Sequence, residues 1–207
     1  MTVVRDFEEA HHQIKIASVA PGPLIALKTI ELPSNANLTD QFITPDSVAT
    51  LLRQNNFSLI ITNQEILTDD IESRFIGTEK LSVNLDKFTY LANKNSVKFS
   101  ELKGTSFIVL IDIGIWKQII QTHIPNAKFL YQSQIDAFTE ITKYSNFPYF
   151  STNISKIDVT HADNENDDRV EIPISDKEAT MEFYASYLKE QRELVNPVIK
   201  SLSDAWI

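Results

Sequence analysis

The chain has no cysteine and only four glycines, two methionines and two tryptophans in 207 residues. Without thiols, cysteine nucleophiles, disulfide frameworks and thiolate metal sites are excluded, and a cytosolic home is compatible. Basic residues are in deficit too: 19 Lys and Arg stand against 28 Asp and Glu, a formal net charge of −9. Nucleic-acid binding needs clustered Lys and Arg that release counterions from phosphates, and no such stripe occurs. No apolar run approaches a membrane span, and the opening "MTVVRDFEEAHHQ" is charged, helical in composition and without a signal-peptide core. The expectation is a cytoplasmic protein with no membrane partner.

Catalytic signatures are missing in the same way. There is no G-x-S-x-G, and no serine or lysine stands in a recognisable nucleophile context. His11, His12, His123 and His161 show no metal-ligand spacing. The acidic run from His161 to Asp168 lacks the central glycine and closing glutamate of a calcium loop. These gaps predict a protein that is not an enzyme and holds no metal or cofactor.

What is present is ample core material, 43% hydrophobic with 10% aromatic residues. Strand-like runs recur at Ile14–Val19, Phe57–Ile61, Leu81–Val83, Phe107–Ile111, Lys128–Tyr131, Val170–Ile172 and Met181–Tyr187. Helical patterns lie between several of them. One opens at Thr44-Pro45-Asp46, with Thr44 as N-cap and Pro45 at the first helical position, then buries Val48, Leu51 and Leu52. Another carries Trp116, Ile119 and Ile120; a third opens at Ser133-Gln134 with a capping-box-like spacing to Asp136; the last opens at Asn196-Pro197. Strands alternating with helices predict an α/β fold with mostly parallel sheets. Connectors at Asn84–Asn95 and Phe150–Asn153 imply two crossings, with a second lobe inserted into the first and a cleft between them.

The stretch "SVAPGPL", residues 18–24, hands a strand over to a helix through Pro21-Gly22-Pro23. It is not a dinucleotide loop, because the prolines replace the glycines that a pyrophosphate needs. Prolines lack N–H groups, so the remaining donors, at Gly22 and Leu24, point in fixed directions. Such helix starts at the carboxyl ends of strands are where open α/β sheets bind ligands.

In the order of its elements the chain resembles the effector-binding domain of LysR-type transcriptional regulators, which shares its fold with type 2 periplasmic solute-binding proteins. "IKIASVAPGPL" is similar to that family's opening strand and helix start, and "ITPDSVATLLRQNNFSLIITN" to its second helix and following strand. "EKLSVNLDKFTYLANKNSVKFSELKGTSFIVL" resembles the crossing into the second lobe, "VEIPISD" the return strand and "NPVIKSL" the closing helix. Ser58 stands where the family usually has Asp, and Phe147-Pro148-Tyr149 replaces a glycine-rich lead.

The resemblance implies two Rossmann-like lobes joined by two crossover connections. Residues 1–13 would be a linker-helix remnant, 14–84 with 154–207 lobe I, and 85–153 the inserted lobe II. It implies a small-molecule effector in the interlobe cleft and a homodimer, tetrameric in a full-length regulator. DNA would be contacted only through an N-terminal helix-turn-helix domain that is not in this chain. The implied ligand-facing positions are Ser18, Ala20, Pro21, Gly22, Thr44, Pro45, Asp46, Thr62 and Asn63 in the first lobe. In the second they are Ile113, Gly114, Trp116, Ser133, Gln134 and Thr152, with Trp116 as an apolar wall. The alternative is a solute-binding protein of the same fold in transport.

Overall fold

The computed structural model describes residues 13–157 and 168–207. Of these, the residues up to Thr78 together with Glu182–Ile207 form one compact unit, and those of Glu79–Met181 form a second.

The first unit opens with β1 (Ile14–Ser18), α1 (Pro21–Thr29) and β2 (Ala36–Phe42). A 3-10 turn at Pro45–Ser47 leads into α2 (Val48–Arg53) and β3 (Leu59–Thr62). The first half of β4 (Ile71–Asp86), the last part of β9 (Thr180–Leu188) and α5 (Arg192–Ala205) complete it. The sheet order is β2-β1-β3-β9-β4. β1 runs parallel to β2 and β3, and β9 lies antiparallel to β3. Central parallel strands are covered on both faces and therefore read as apolar runs; all four residues of β3 are buried.

Helix α5 shows how the last segment seals this unit. Val195, Val198, Ile199 and Leu202 are buried at the three- and four-residue spacing of one helix face. The helix begins at Arg192, four residues earlier than Asn196-Pro197 implies, and Pro197 lies inside it. Near a helix start a proline forfeits only a single intrahelical bond, whereas ending the helix there would release Val195 from the core. Just beyond α5, the Trp206 ring lies on Gly77 of β4: a Cβ at Gly77 would stand 2.2 Å from Trp206 Cδ1. The indole N–H donates to the Thr78 carbonyl at 3.1 Å, and the ring lies 5.7 Å from that of Phe183.

The second unit contains the rest of β4, β5 (Ser106–Leu110), α3 (Trp116–His123), β6 (Lys128–Gln132) and α4 (Ile135–Tyr144), then β7 (Tyr149–Thr152) and β8 (Arg169–Pro173). β5 and β6 are parallel; β7 and β8 pair antiparallel with opposite edges of β4. Phe107 stacks between Phe150 at 4.7 Å and Phe129 at 5.8 Å, which makes an aromatic core for this unit. The turn at Leu102-Lys103-Gly104 needs its glycine, since Gly104 has φ +73.

The boundaries differ from those expected. The chain changes unit at 78–79 and 181–182, inside β4 and inside β9, rather than at 84–85 and 153–154. The reason is pairing: residues 81–86 of β4 form ladders with β7 and β8, which binds these segments into the second unit. Phe150–Asn153, expected to be a connector, is largely strand β7. Residues 1–12 of the expected linker remnant and most of the acidic run at 161–168 lie outside the described residues.

Gly77→Ala should destabilise the protein by about 1–3 kcal/mol, because the added methyl displaces a packed indole. The denaturant midpoint reads this directly, and in a Trp206→Ala background the same change should cost little.

Candidate functional site

In the first unit the carboxyl ends of three adjacent strands gather nine of the expected positions. Ser18 is paired in register with Phe42 on one side and Ile61 on the other, and its carbonyl accepts from Ile43 N at 2.9 Å. Thr44, Pro45 and Asp46 therefore follow directly on one flank, and Thr62 and Asn63 on the other.

The start of α1 is unusually short of donors. The Ser18 hydroxyl accepts from Ala20 N at 3.2 Å and donates to Ala20 O at 2.8 Å, which holds Ala20 extended at the N-cap. Pro21 and Pro23 have no N–H. Leu24 stands four residues after Ala20, the first position for which a helix itself offers an acceptor. Among the described residues Gly22 is thus the one donor of the turn with no acceptor, one fewer than the sequence implied.

Thr44 does not cap a helix as expected. Its hydroxyl donates to Ser47 Oγ at 3.1 Å, and Ser47 Oγ donates back to Thr44 O at 2.8 Å, closing a 3-10 turn before α2. On the other flank, Thr62 is fully buried and, among the described residues, its hydroxyl has no hydrogen-bond partner; the Asn63 side-chain oxygen is likewise buried and unpaired among them. Leaving a buried hydroxyl unsatisfied costs about 1–3 kcal/mol.

In the second unit, Ile113 and Gly114 form the turn from β5 into α3, with Gly114 at φ +56. Ser133 and Gln134 form the turn from β6 into α4. The two turns lie at the same end of β5 and β6, since Leu110 pairs with Gln132 and Ile111 N donates to Gln132 O at 2.9 Å. Gln134, not Ser133, occupies the N-cap, and no side chain caps the helix.

Trp116 and Thr152 are drawn elsewhere. Trp116 is only 3% exposed, so it offers no open wall. Its indole N–H donates to Glu79 Oε2 at 3.2 Å, and the Thr152 hydroxyl donates to Glu79 Oε1 at 2.7 Å. Glu79, itself 2% exposed, was not among the expected residues. A signal for it existed: it is in phase with the buried Leu81 and Val83 along β4, on the face that turns inward.

Burial pushes the Glu79 carboxyl up to about 6, against the pull of the bonds from Thr152 and Trp116. The folded state therefore binds this proton more tightly than the unfolded chain. Its contribution to stability is fully present below the unfolded pKa of about 4.5 and is lost as pH rises to about 6. The loss amounts to about 2 kcal/mol. Glu79→Gln should flatten this part of the stability–pH curve, as measured by chemical denaturation across the window; an unchanged slope would refute the assignment.

Among the described residues no group of three His, Cys, Asp or Glu side chains is placed to hold a metal ion, and no helix is long and apolar enough to cross a membrane. No protein-family model and no curated protein matches the chain. Solved structures do. The reduced regulatory domain of OxyR from Pseudomonas aeruginosa is similar at 11% identity and TM-score 0.66, over 94% of this chain and 96% of that one. The regulatory domain of MetR, a LysR family regulator from N. meningitidis, is similar at 14% identity and TM-score 0.70, over 93% of each. A sulfate-bound mutant regulatory domain of OxyR2 from Vibrio vulnificus is similar at 16% identity and TM-score 0.62, over 94% of this chain and 96% of that one. The chain thus has a mixed α/β fold of the type 2 periplasmic-binding-protein kind. More narrowly, it is the fold of LysR-type regulatory domains.

Proposed function

We propose that the chain is the effector-sensing module of a LysR-type transcriptional regulator, acting by binding rather than by catalysis. The observation that carries this reading is the buried, unpaired hydroxyl of Thr62, with the Asn63 oxygen beside it in sequence, at the sheet end where α1 begins. Unsatisfied buried polar groups are retained where something else completes them. A small polar organic molecule that presents an acceptor to Gly22 N–H and a partner to Thr62 fits these groups. Ser18, Ala20, Pro21, Thr44, Pro45 and Asp46 would frame it in the first unit. Such a ligand regulates by favouring one of the protein's conformations over another.

A thermal-shift screen of small polar metabolites tests this, because a ligand of the folded state raises the melting temperature by mass action. Thr62→Val should abolish the shift produced by a hit. The same change should leave the free protein more stable by about 1 kcal/mol, since it removes an unpaired buried hydroxyl. A compound that stabilises the variant as it does the parent would refute the site.

The reading includes a homodimer, supported by Ile25, Ile30 and Leu32, which remain only half-buried on and after α1. Light scattering should give a dimer mass at micromolar concentration; a monomer mass would count against it.

A further inference from the structure

Glu79 is a buried carboxylate to which, among the described residues, no cation is bonded. Each of its oxygens takes one hydrogen bond. The donors come from the first residue of α3 and the last residue of β7, 37 and 73 positions away. Thr152 is itself held: its hydroxyl accepts from Ser155 N at 3.0 Å, while Ser155 Oγ accepts from Thr152 N at 2.8 Å and donates to Thr152 O at 2.9 Å. Three segments of the second unit therefore meet at one ionisable group.

We propose that Glu79 is a proton-operated latch, a positioning residue that ties the start of α3 and the end of β7 by two charge-assisted hydrogen bonds when ionised and, when protonated, exchanges these for weaker local bonds while relieving the larger cost of burying the charge. An indole N–H only donates. A proton taken from solvent is better placed on Oε1, where Thr152 Oγ1 can accept it, than on Oε2, where it would weaken the acceptor of the Trp116 N–H. The bond to Thr152 then reverses. Thr152 Oγ1 accepts from both Glu79 and Ser155 N, and its own proton has to find a new acceptor. The bond from Trp116 stops being charge-assisted, which about halves its strength.

Other charges near these elements are engaged or turned outward. Lys80 is exposed on β4, Lys117 lies over the Tyr131 ring, His123 stacks on Phe99, Lys156 pairs with Glu171, and Glu182 on β9 accepts from Tyr184. None of them contributes to the displacement of the Glu79 pKa, which burial carries up to about 6, within a modest acidification of neutral conditions.

The chain contains its own control. Its second tryptophan, Trp206, donates to a backbone carbonyl that does not titrate. In nitrogen-15 spectra of the intact protein from about pH 5 to about pH 7, the Trp116 indole resonance should move with a midpoint near 6 while that of Trp206 stays still. A Trp206→Phe variant assigns the two peaks. In Glu79→Gln the Trp116 resonance should cease to move. Thr152→Val, which removes a bond to the ionised form, should raise the midpoint. A Trp116 resonance that is constant in the parent, one that titrates equally in Glu79→Gln, or a midpoint unmoved by Thr152→Val would each overturn the latch. The measurement needs no ligand, so its failure leaves the effector reading standing, and failure of that reading leaves the latch standing.

Discussion

One unbroken strand, β4, supplies backbone to both units, and much of the rest is arranged around its middle. Residues 77–79 are where the demands meet. Gly77 has to be glycine because an indole occupies the space a side chain would take. The carbonyl of Thr78 receives that indole's N–H, and the carboxylate of Glu79 receives the N–H of the other. Both tryptophans of the chain are thus satisfied by consecutive residues of a single strand. A buried indole requires an acceptor, so the polarity of this stretch follows from what is laid against it. The difference lies in the acceptors: a peptide carbonyl keeps one state at all relevant pH, whereas a carboxylate has two.

Legibility from sequence followed burial. β1, β3, β5 and β9 are apolar because neighbours cover them, and they were visible as runs. β2 was not, because "ANLTDQF" is an edge strand with three of its seven residues exposed and none fully buried. The part of β4 before Leu81 was hidden for a related reason: Ser73 and Glu79 are buried polar residues, so the apolar pattern breaks where side chains form hydrogen bonds inside each unit. Ser73 bonds Ser186 on the paired strand at 2.6 Å, a contact that no local pattern encodes.

The capping predictions failed for a shared cause. Thr44 and Ser133 have the composition of N-caps, yet Thr44 turns to Ser47 and Ser133 stands one residue too early. Hydroxyls near helix starts choose among several local donors and acceptors, and spacing alone does not decide between them. The positions at sheet ends were still found, because their placement depends on strand order rather than on cap chemistry. Glu79 was missed although Trp116 and Thr152 were singled out. The two donors have sequence contexts, the helix start and the strand end; their common acceptor is marked only by its phase along a strand whose apolar pattern is broken.

The Pro21-Gly22-Pro23 turn bears on what the first unit can recognise. A helix start ordinarily exposes several N–H groups and suits phosphate-like anions that accept from all of them. Here Ser18 takes the N–H of Ala20, two prolines remove two more, and Gly22 is left alone. The exposed carboxylate of Asp46 stands on the flanking turn. One fixed donor and a nearby negative charge disfavour a multiply charged anion. In the proposed site they would suit a ligand whose acceptor is a single carbonyl or hydroxyl, with Thr62 able either to donate or to accept. On that proposal the stiffness of the turn would serve selectivity, because a donor that cannot swing cannot follow an acceptor placed elsewhere.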